Sequence, residues 1–140
     1  MYLPLRIKVC DKCWLVQTVD YTKSELLFND EYAYLSSTSK SWLKHSKTFA
    51  LEVSKKYKLN SNSFVIEIAC NDGYLLKNFK KANIPCLGIE PTRSTAKIAL
   101  KKGINVIEDF FNSNLAKELK KNNKKADLII GNNVFAHVPD

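Results

Sequence analysis

Glu67-Ile68-Ala69-Cys70-Asn71-Asp72-Gly73-Tyr74-Leu75 joins an apolar run to a segment of helical spacing, and this junction decides the fold. The run, residues 64–69, reads as a buried strand; Asn-Asp-Gly is turn chemistry; residues 74–81 read as a helix. The same alternation continues downstream, with strands expected at 86–89, 105–107 and 126–130 and helices at 94–102 and 115–121. Four apolar runs separated by helical segments imply an α/β fold: a parallel sheet, right-handed crossovers, and helices on both faces. Gly103 follows the second of these helices as a C-cap glycine, and Pro85 stops the first.

In such sheets ligands bind beyond the carboxyl ends of the strands, where strand order reverses. The first strand delivers Ala69, Asn71, Asp72 and Gly73 to that edge. Gly73 permits a tight turn and a close approach of backbone amides to a ligand, although Asn-Asp-Gly also occurs in plain connections. The second strand ends in Gly88-Ile89-Glu90-Pro91, which sets a carboxylate roughly 20 residues after the turn, the spacing of an acid that accepts both hydroxyls of an adenosine ribose. A dinucleotide would ask for Gly-x-Gly-x-x-Gly to admit its pyrophosphate. Gly73 is the sole glycine of the turn, so a nucleoside ligand without a pyrophosphate fits better, and S-adenosylmethionine is such a ligand.

Three further features fall at the same edge. Asp109-Phe110 follows the third strand and offers a polar contact and an apolar face for adenine, with core packing the alternative for Phe110 and Phe111. The fourth strand ends in Asn132-Asn133, whose side-chain amides both donate and accept, as the amino-acid end of the cofactor or a substrate requires. His137 is a candidate general base if it faces the crevice, and a structural loop histidine otherwise.

Upstream, residues 1–20 are short-range and strand-like around Cys10-Asp11-Lys12-Cys13 and hold too little to form a core of their own. The cysteine spacing is half of a tetrahedral zinc site, so two further ligands would be missing from this chain. A redox Cys-x-x-Cys is the rival, but that motif precedes a helix, whereas Trp14-Leu15-Val16-Gln17 reads as a strand. Residues 21–60 read as a linker and one long helix over 32–57, with Trp42, Leu43, Phe49, Ala50, Val53 and Tyr57 at helical spacing after N-cap candidates at Ser36, Ser37, Thr38 and Ser39. Residues 61–140 form the main domain, expected to be truncated because open sheets of this kind usually continue for further strands.

The formal net charge is +8, yet the lysines come in pairs at helix ends, where the helix dipole favours cations, and are not gathered on one element with interleaved aromatics. Nucleic acid is therefore not the expected partner. No apolar run approaches the roughly 20 residues that cross a bilayer, and no signal peptide is recognisable, so a cytoplasmic location without membrane contact is expected. Cys70 and Cys86, on expected strands, agree with a reducing compartment.

Five ordered motifs carry a family resemblance: Pro4-Leu5 with Val9-Cys10-x-x-Cys13-x-Leu15-Val16-Gln17; Tyr34-Leu35-Ser36-Ser37-x-Ser39-x-Ser41-Trp42; residues 67–75; Gly88-Ile89-Glu90-Pro91; and Gly131-Asn132-Asn133-Val134-x-Ala136-His137-Val138-Pro139-Asp140. Together they resemble bacterial C-methyltransferases of nucleotide-linked deoxysugars, in which a zinc-binding domain precedes a Rossmann-like class I domain that uses S-adenosylmethionine. The resemblance implies methyl transfer to a carbon beside a ketone, through an enolate that attacks the sulfonium methyl. It implies structural zinc at Cys10 and Cys13. It also implies a cofactor lining from Glu67, Ala69, Asn71, Asp72, Gly73, Tyr74, Leu75, Glu90, Pro91, Asp109, Phe110, Asn132 and Asn133, and a substrate border from Tyr34, Ser36, Ser37, Ser39 and Trp42. Cys70 stands where such proteins commonly have serine, a small change. The family's catalytic His and Tyr lie beyond residue 140, so this chain is expected to bind cofactor without turnover. Rival readings are an O- or N-methyltransferase with the same crevice, and a zinc-ribbon module that binds nucleic acid.

Overall fold

The computed structural model describes residues 4–19, 23–29, 31–32, 34–135 and 138. Its centre is a four-stranded sheet made of β3 (Val65–Ile68), β4 (Cys86–Ile89), β5 (Asn105–Ile107) and β6 (Leu128–Gly131), in the order β5-β4-β3-β6. Every pairing is parallel, with Glu67 opposite Gly88 on one side and opposite Ile130 on the other. The chain steps outward from β3 to β5, then returns past β3 to place β6. Strand order thus reverses between β4 and β6, and the carboxyl end of β3 is the switch point at which such sheets bind ligands.

The pleat divides the core. Val65 faces a cluster with Tyr74, Leu75, Leu76, Phe79, Ala99 and Ile104, while Ile66 faces the opposite cluster with Leu87, Ile89, Leu115 and Leu119. Three helices cover the first face: α2 (Lys40–Lys56), α3 (Leu76–Lys81) and α4 (Arg93–Lys101); α5 (Ser113–Lys121) covers the second. In α2 the apolar residues that reach the core are Trp42, Leu43, Phe49, Ala50 and Val53, which with buried Ser46 recur at the three- and four-residue steps of one helical stripe. Asn112 caps α5 by accepting from the Leu115 N–H at 2.9 Å.

The strands and helices lie within two residues of their sequence-based bounds, except α2. Its expected start at 32 moves to Lys40, because Ser36–Thr38 form a 3-10 turn and Ser39, in extended conformation, accepts from the Trp42 N–H. Short hydroxyl side chains there bond nearby backbone, as Thr38 Oγ1 does to the Leu35 carbonyl at 2.8 Å, and so compete with helix. A short helix, α1 (Ser24–Leu27), was not expected at all.

The lysine pairs do end the helices, at Lys55-Lys56, Lys80-Lys81 and Lys120-Lys121. Lys80 goes further: its Nζ donates to the Gly103 carbonyl at 2.6 Å and the Lys102 carbonyl at 3.3 Å, capping the chain just after α4. Upstream, β1 (Ile7–Val9) and β2 (Val16–Thr18) pair antiparallel around the cysteine turn, and all six residues are exposed. This matches the expectation of a strand-like segment with no core of its own.

Candidate functional site

The turn after β3 is built from left-handed backbone at Ala69, Asn71 and Gly73. Asn tolerates that conformation and Gly has no Cβ to oppose it. Around this turn lies a cleft of about 320 Å³. Its floor is made by the ends of three strands: Ile68, Ala69 and Asn71 from β3, Ile89, Glu90 and Pro91 from β4, and Asn132 and Asn133 from β6. Phe110 and Phe111 close it beyond β5, Tyr74 lies at its base, and Phe28, Tyr32, Tyr34, Ser36 and Trp42 form a wall opposite.

Glu90 is 4% exposed and fixed at the cleft by two backbone donors. The Asn71 N–H reaches Oε2 at 2.8 Å and the Thr92 N–H reaches Oε1 at 2.9 Å. Each carboxylate oxygen keeps a second lone pair, so a rigidly aimed pair of acceptors remains for two vicinal hydroxyls. The neighbouring Gly88 is required by packing, since a Cβ there would collide with Cys70 Sγ and press on Leu76.

Glu67 is 1% exposed, and neither of its oxygens has a partner in hydrogen-bonding geometry. Burial pushes its carboxyl well above the usual range; the nearby Tyr74 hydroxyl opposes this, and the charges of Glu90 and Asp72 add to it. The Tyr74 hydroxyl accepts from Asn132 Nδ2 at 3.2 Å, and the Trp42 indole N–H also acts on it. Amide and indole nitrogens can only donate, which leaves the hydroxyl proton free to point at Glu67. Glu67 therefore sits behind Tyr74, away from the cleft lining, as a buried acid without a full complement of partners.

In the fold Glu67 keeps its proton at pH values where an unfolded glutamate, with pKa roughly 4.3, has lost it. The folded state then binds more protons, so stability falls as pH rises above that value, by about 1.4 kcal/mol per pH unit, until the folded pKa is reached. Glu67→Gln removes this slope. Thermal unfolding across a pH series should show the variant melting higher than the parent near neutrality and level with it at about pH 4; parallel curves would contradict a buried protonated acid.

The structure brings together eleven of the sequence-derived site residues: Ala69, Asn71, Tyr74, Glu90, Pro91, Phe110, Asn132 and Asn133 on the cofactor side, and Tyr34, Ser36 and Trp42 on the substrate side. Others it sets apart from the lining. Asp72, fully buried, turns its carboxylate to Lys102, whose Nζ donates to Oδ2 at 3.1 Å and to the Asp72 carbonyl at 2.7 Å. Gly73 lies outside the cleft lining, and a Cβ there would strike Ile104, just past α4, and crowd Ala99 on it. Leu75 is core. Exposed Asp109 accepts from the N–H of Phe110. Ser37 and Ser39 lie along the turn into α2, Ser39 as its cap. His137 falls outside the described residues.

Sequence reasoning missed Phe28 and Tyr32, whose rings meet edge-to-face at 5.4 Å over the cleft. Burial raises the Tyr32 hydroxyl's pKa, and the charge of Glu90 adds to the effect. The available signal was the crowding of Phe28, Tyr32 and Tyr34 within seven residues of the linker.

Residues 41–140 match the family model of a methyltransferase domain. The chain belongs to that methyltransferase family. A curated relative, the C-methyltransferase NovU of Streptomyces niveus, is 28% identical over 137 residues, covering 98% of this chain and 32% of the relative. The chain thus spans about a third of that protein's length. The crystal structure of MccD protein aligns at 21% identity over 69% of this chain and 34% of its own, with a TM-score of 0.36, too low to bear on the fold.

At the cysteine turn, the Cys10 thiol is held below its usual pKa by the backbone N–H groups of Cys13 and Lys12 and by the Cys13 side chain. Two thiols do not complete a four-ligand zinc site. Among the described residues no group of three or more His, Cys, Asp and Glu is placed to hold a metal ion. No helix among them is long and apolar enough to cross a membrane.

Proposed function

We propose that the cleft binds S-adenosylmethionine and that the whole protein methylates a carbon next to the ketone of a nucleotide-linked deoxysugar. The observation that carries the cofactor reading is Glu90, buried and locked by two backbone amides with its free lone pairs toward the cleft. Asn132 and Asn133 suit the amino-acid end, and Phe110 and Phe111 offer an apolar face to adenine.

When bound, the cofactor supplies a methyl made electrophilic by positive sulfur. This chain's residues bind and orient it: Glu90 by the ribose, the strand ends by the purine, and the aromatic wall by excluding water. Tyr34, Ser36 and Trp42 border the substrate side. The C-methylation reading draws on the resemblance to NovU, whose name states that activity.

We also propose a modular layout: residues 1–20 as half of a zinc-binding domain, 21–60 as linker and helix, and 61–140 as the start of the methyltransferase domain. The lowered Cys10 thiol supports a metal-ready thiolate, with two ligands to come from outside the described residues. The decisive assay uses the longest reading frame carrying this sequence, with methyl-labelled cofactor and nucleotide-linked keto-deoxysugars, followed by carbon NMR. A new C–CH3 signal beside the ketone is expected. An O–CH3 or N–CH3 product would assign the cleft to another methyltransferase class, and salt-dependent nucleic-acid binding without methyl transfer would favour the zinc-ribbon reading.

A further inference from the structure

Asn71 makes three hydrogen bonds to distant parts of the chain. Its N–H donates to Glu90 Oε2 at 2.8 Å. Its side-chain Oδ1 accepts from the Ser36 N–H at 2.9 Å, and its Nδ2 donates to the Tyr34 carbonyl at 3.2 Å. The residue is 8% exposed and has φ of 51°, a left-handed conformation that asparagine tolerates. A primary amide carries one acceptor and one donor group side by side, and the backbone at 34–36 presents the complementary donor and acceptor. The two bonds act as a two-point pin. Tyr34 and Ser36 belong to the cleft wall and Glu90 to its floor, so one residue ties the two sides together.

We propose that Asn71 is a positioning residue that couples the wall at residues 34–36 to the Glu90 end of the cleft, so that cofactor occupancy and wall closure stabilise each other. The inference rests on the reading of the cleft as an S-adenosylmethionine site. Ribose hydroxyls on the free lone pairs of Glu90 would hold the carboxylate still, and with it the residue 71 peptide and the pinned wall. By linkage, a wall already held in place favours the cofactor by the same factor, about 5- to 100-fold for couplings of ordinary size.

The test uses Trp42 as reporter. The sequence has two tryptophans, so Trp14→Phe, in the exposed hairpin, leaves Trp42 at the cleft as the single tryptophan, excited selectively over the tyrosines at the red edge of the absorption band. In this background S-adenosylmethionine should lower acrylamide quenching of Trp42. Asn71→Gly, which keeps the left-handed backbone and removes only the pin, should raise quenching without ligand, abolish the protective effect, and weaken cofactor affinity about 5- to 100-fold.

Asn71→Asp supplies a readout that a general loss of folding would not give. Ionised, the carboxylate opposes the Tyr34 carbonyl and Glu90; protonated, it donates to Tyr34 while still accepting from Ser36. Burial and the charges of Glu67, Glu90 and Asp72 push up the neighbouring Cys70 thiol, and the same surroundings would raise a carboxyl at residue 71, so the variant should quench more like Asn71→Gly in mildly alkaline buffer and more like the parent in mildly acidic buffer. Parent-like quenching and affinity in Asn71→Gly, or an Asn71→Asp variant indifferent to pH, would overturn the proposal. Failure of the parent to bind S-adenosylmethionine would overturn the cofactor reading and the coupling, while the unliganded series would still decide whether Asn71 holds the wall.

Discussion

Glu90→Ala is expected to weaken S-adenosylmethionine binding by at least about 100-fold, because a hydrogen bond to a charged group contributes about 1.5–3 kcal/mol and two ribose hydroxyls lose theirs together. The same change strands the N–H groups of Asn71 and Thr92, which now donate to Oε2 and Oε1, so the loss extends to the shape of the turn itself. Glu90→Gln separates these effects. It keeps one acceptor and sets an NH2 group against a backbone donor, and should bind with intermediate affinity. Isothermal titration of the three proteins tests the order parent, Gln, Ala. Equal affinity across the series would mean that the ribose is held elsewhere.

Gly73→Ala should produce a large loss of stability with little change in cofactor affinity. Gly73 has φ of 74°, where an L side chain costs about 1–2 kcal/mol. Its new Cβ would also be driven into Ile104 Cδ1, with Ala99 close behind, and overpacking of a buried site costs about 1–3 kcal/mol more. Urea unfolding should therefore register a loss of about 2–5 kcal/mol, the sum of those two terms. Ile104→Val, which removes the offending methyl, should restore part of it in the double variant and leave the backbone cost behind. A loss below about 1 kcal/mol, or a defect confined to ligand binding, would return Gly73 to the role of a ligand-approach glycine.

These two residues mark what could be read from the sequence. The place of Glu90 at the edge of the cleft was legible because it depends on local order: a strand, a terminal acid, and a spacing from the preceding turn that the topology fixes. The strands were legible for the same reason, since their apolar runs are bounded by Gly, Pro and Asn. Gly73 was half legible. Its turn geometry follows from the local Asn-Asp-Gly, but its crowding against Ile104 depends on how α4 packs, some thirty residues on.

The polar residues of the turn were harder. Asn71 and Asp72 are adjacent, and their types suit a ligand equally well, yet the backbone sends them opposite ways. Asn71 turns to the wall at residues 34–36, and Asp72 turns under α4 to Lys102. No local pattern distinguishes them, because each is defined by a partner about thirty residues away in the chain. Phe28 and Tyr32 escaped notice for a related reason: a linker without periodicity gives no face on which to place a side chain, and their position over the cleft comes from the pinned segment that follows.

Titration of the protein with S-adenosylmethionine in a calorimeter decides whether this switch-point cleft holds a sulfonium nucleoside. Saturable binding at one site per chain, displaced by S-adenosylhomocysteine and lost in Glu90→Ala, is the expected result. Absence of saturable heat at millimolar cofactor, or binding that Glu90→Ala leaves intact, would contradict it.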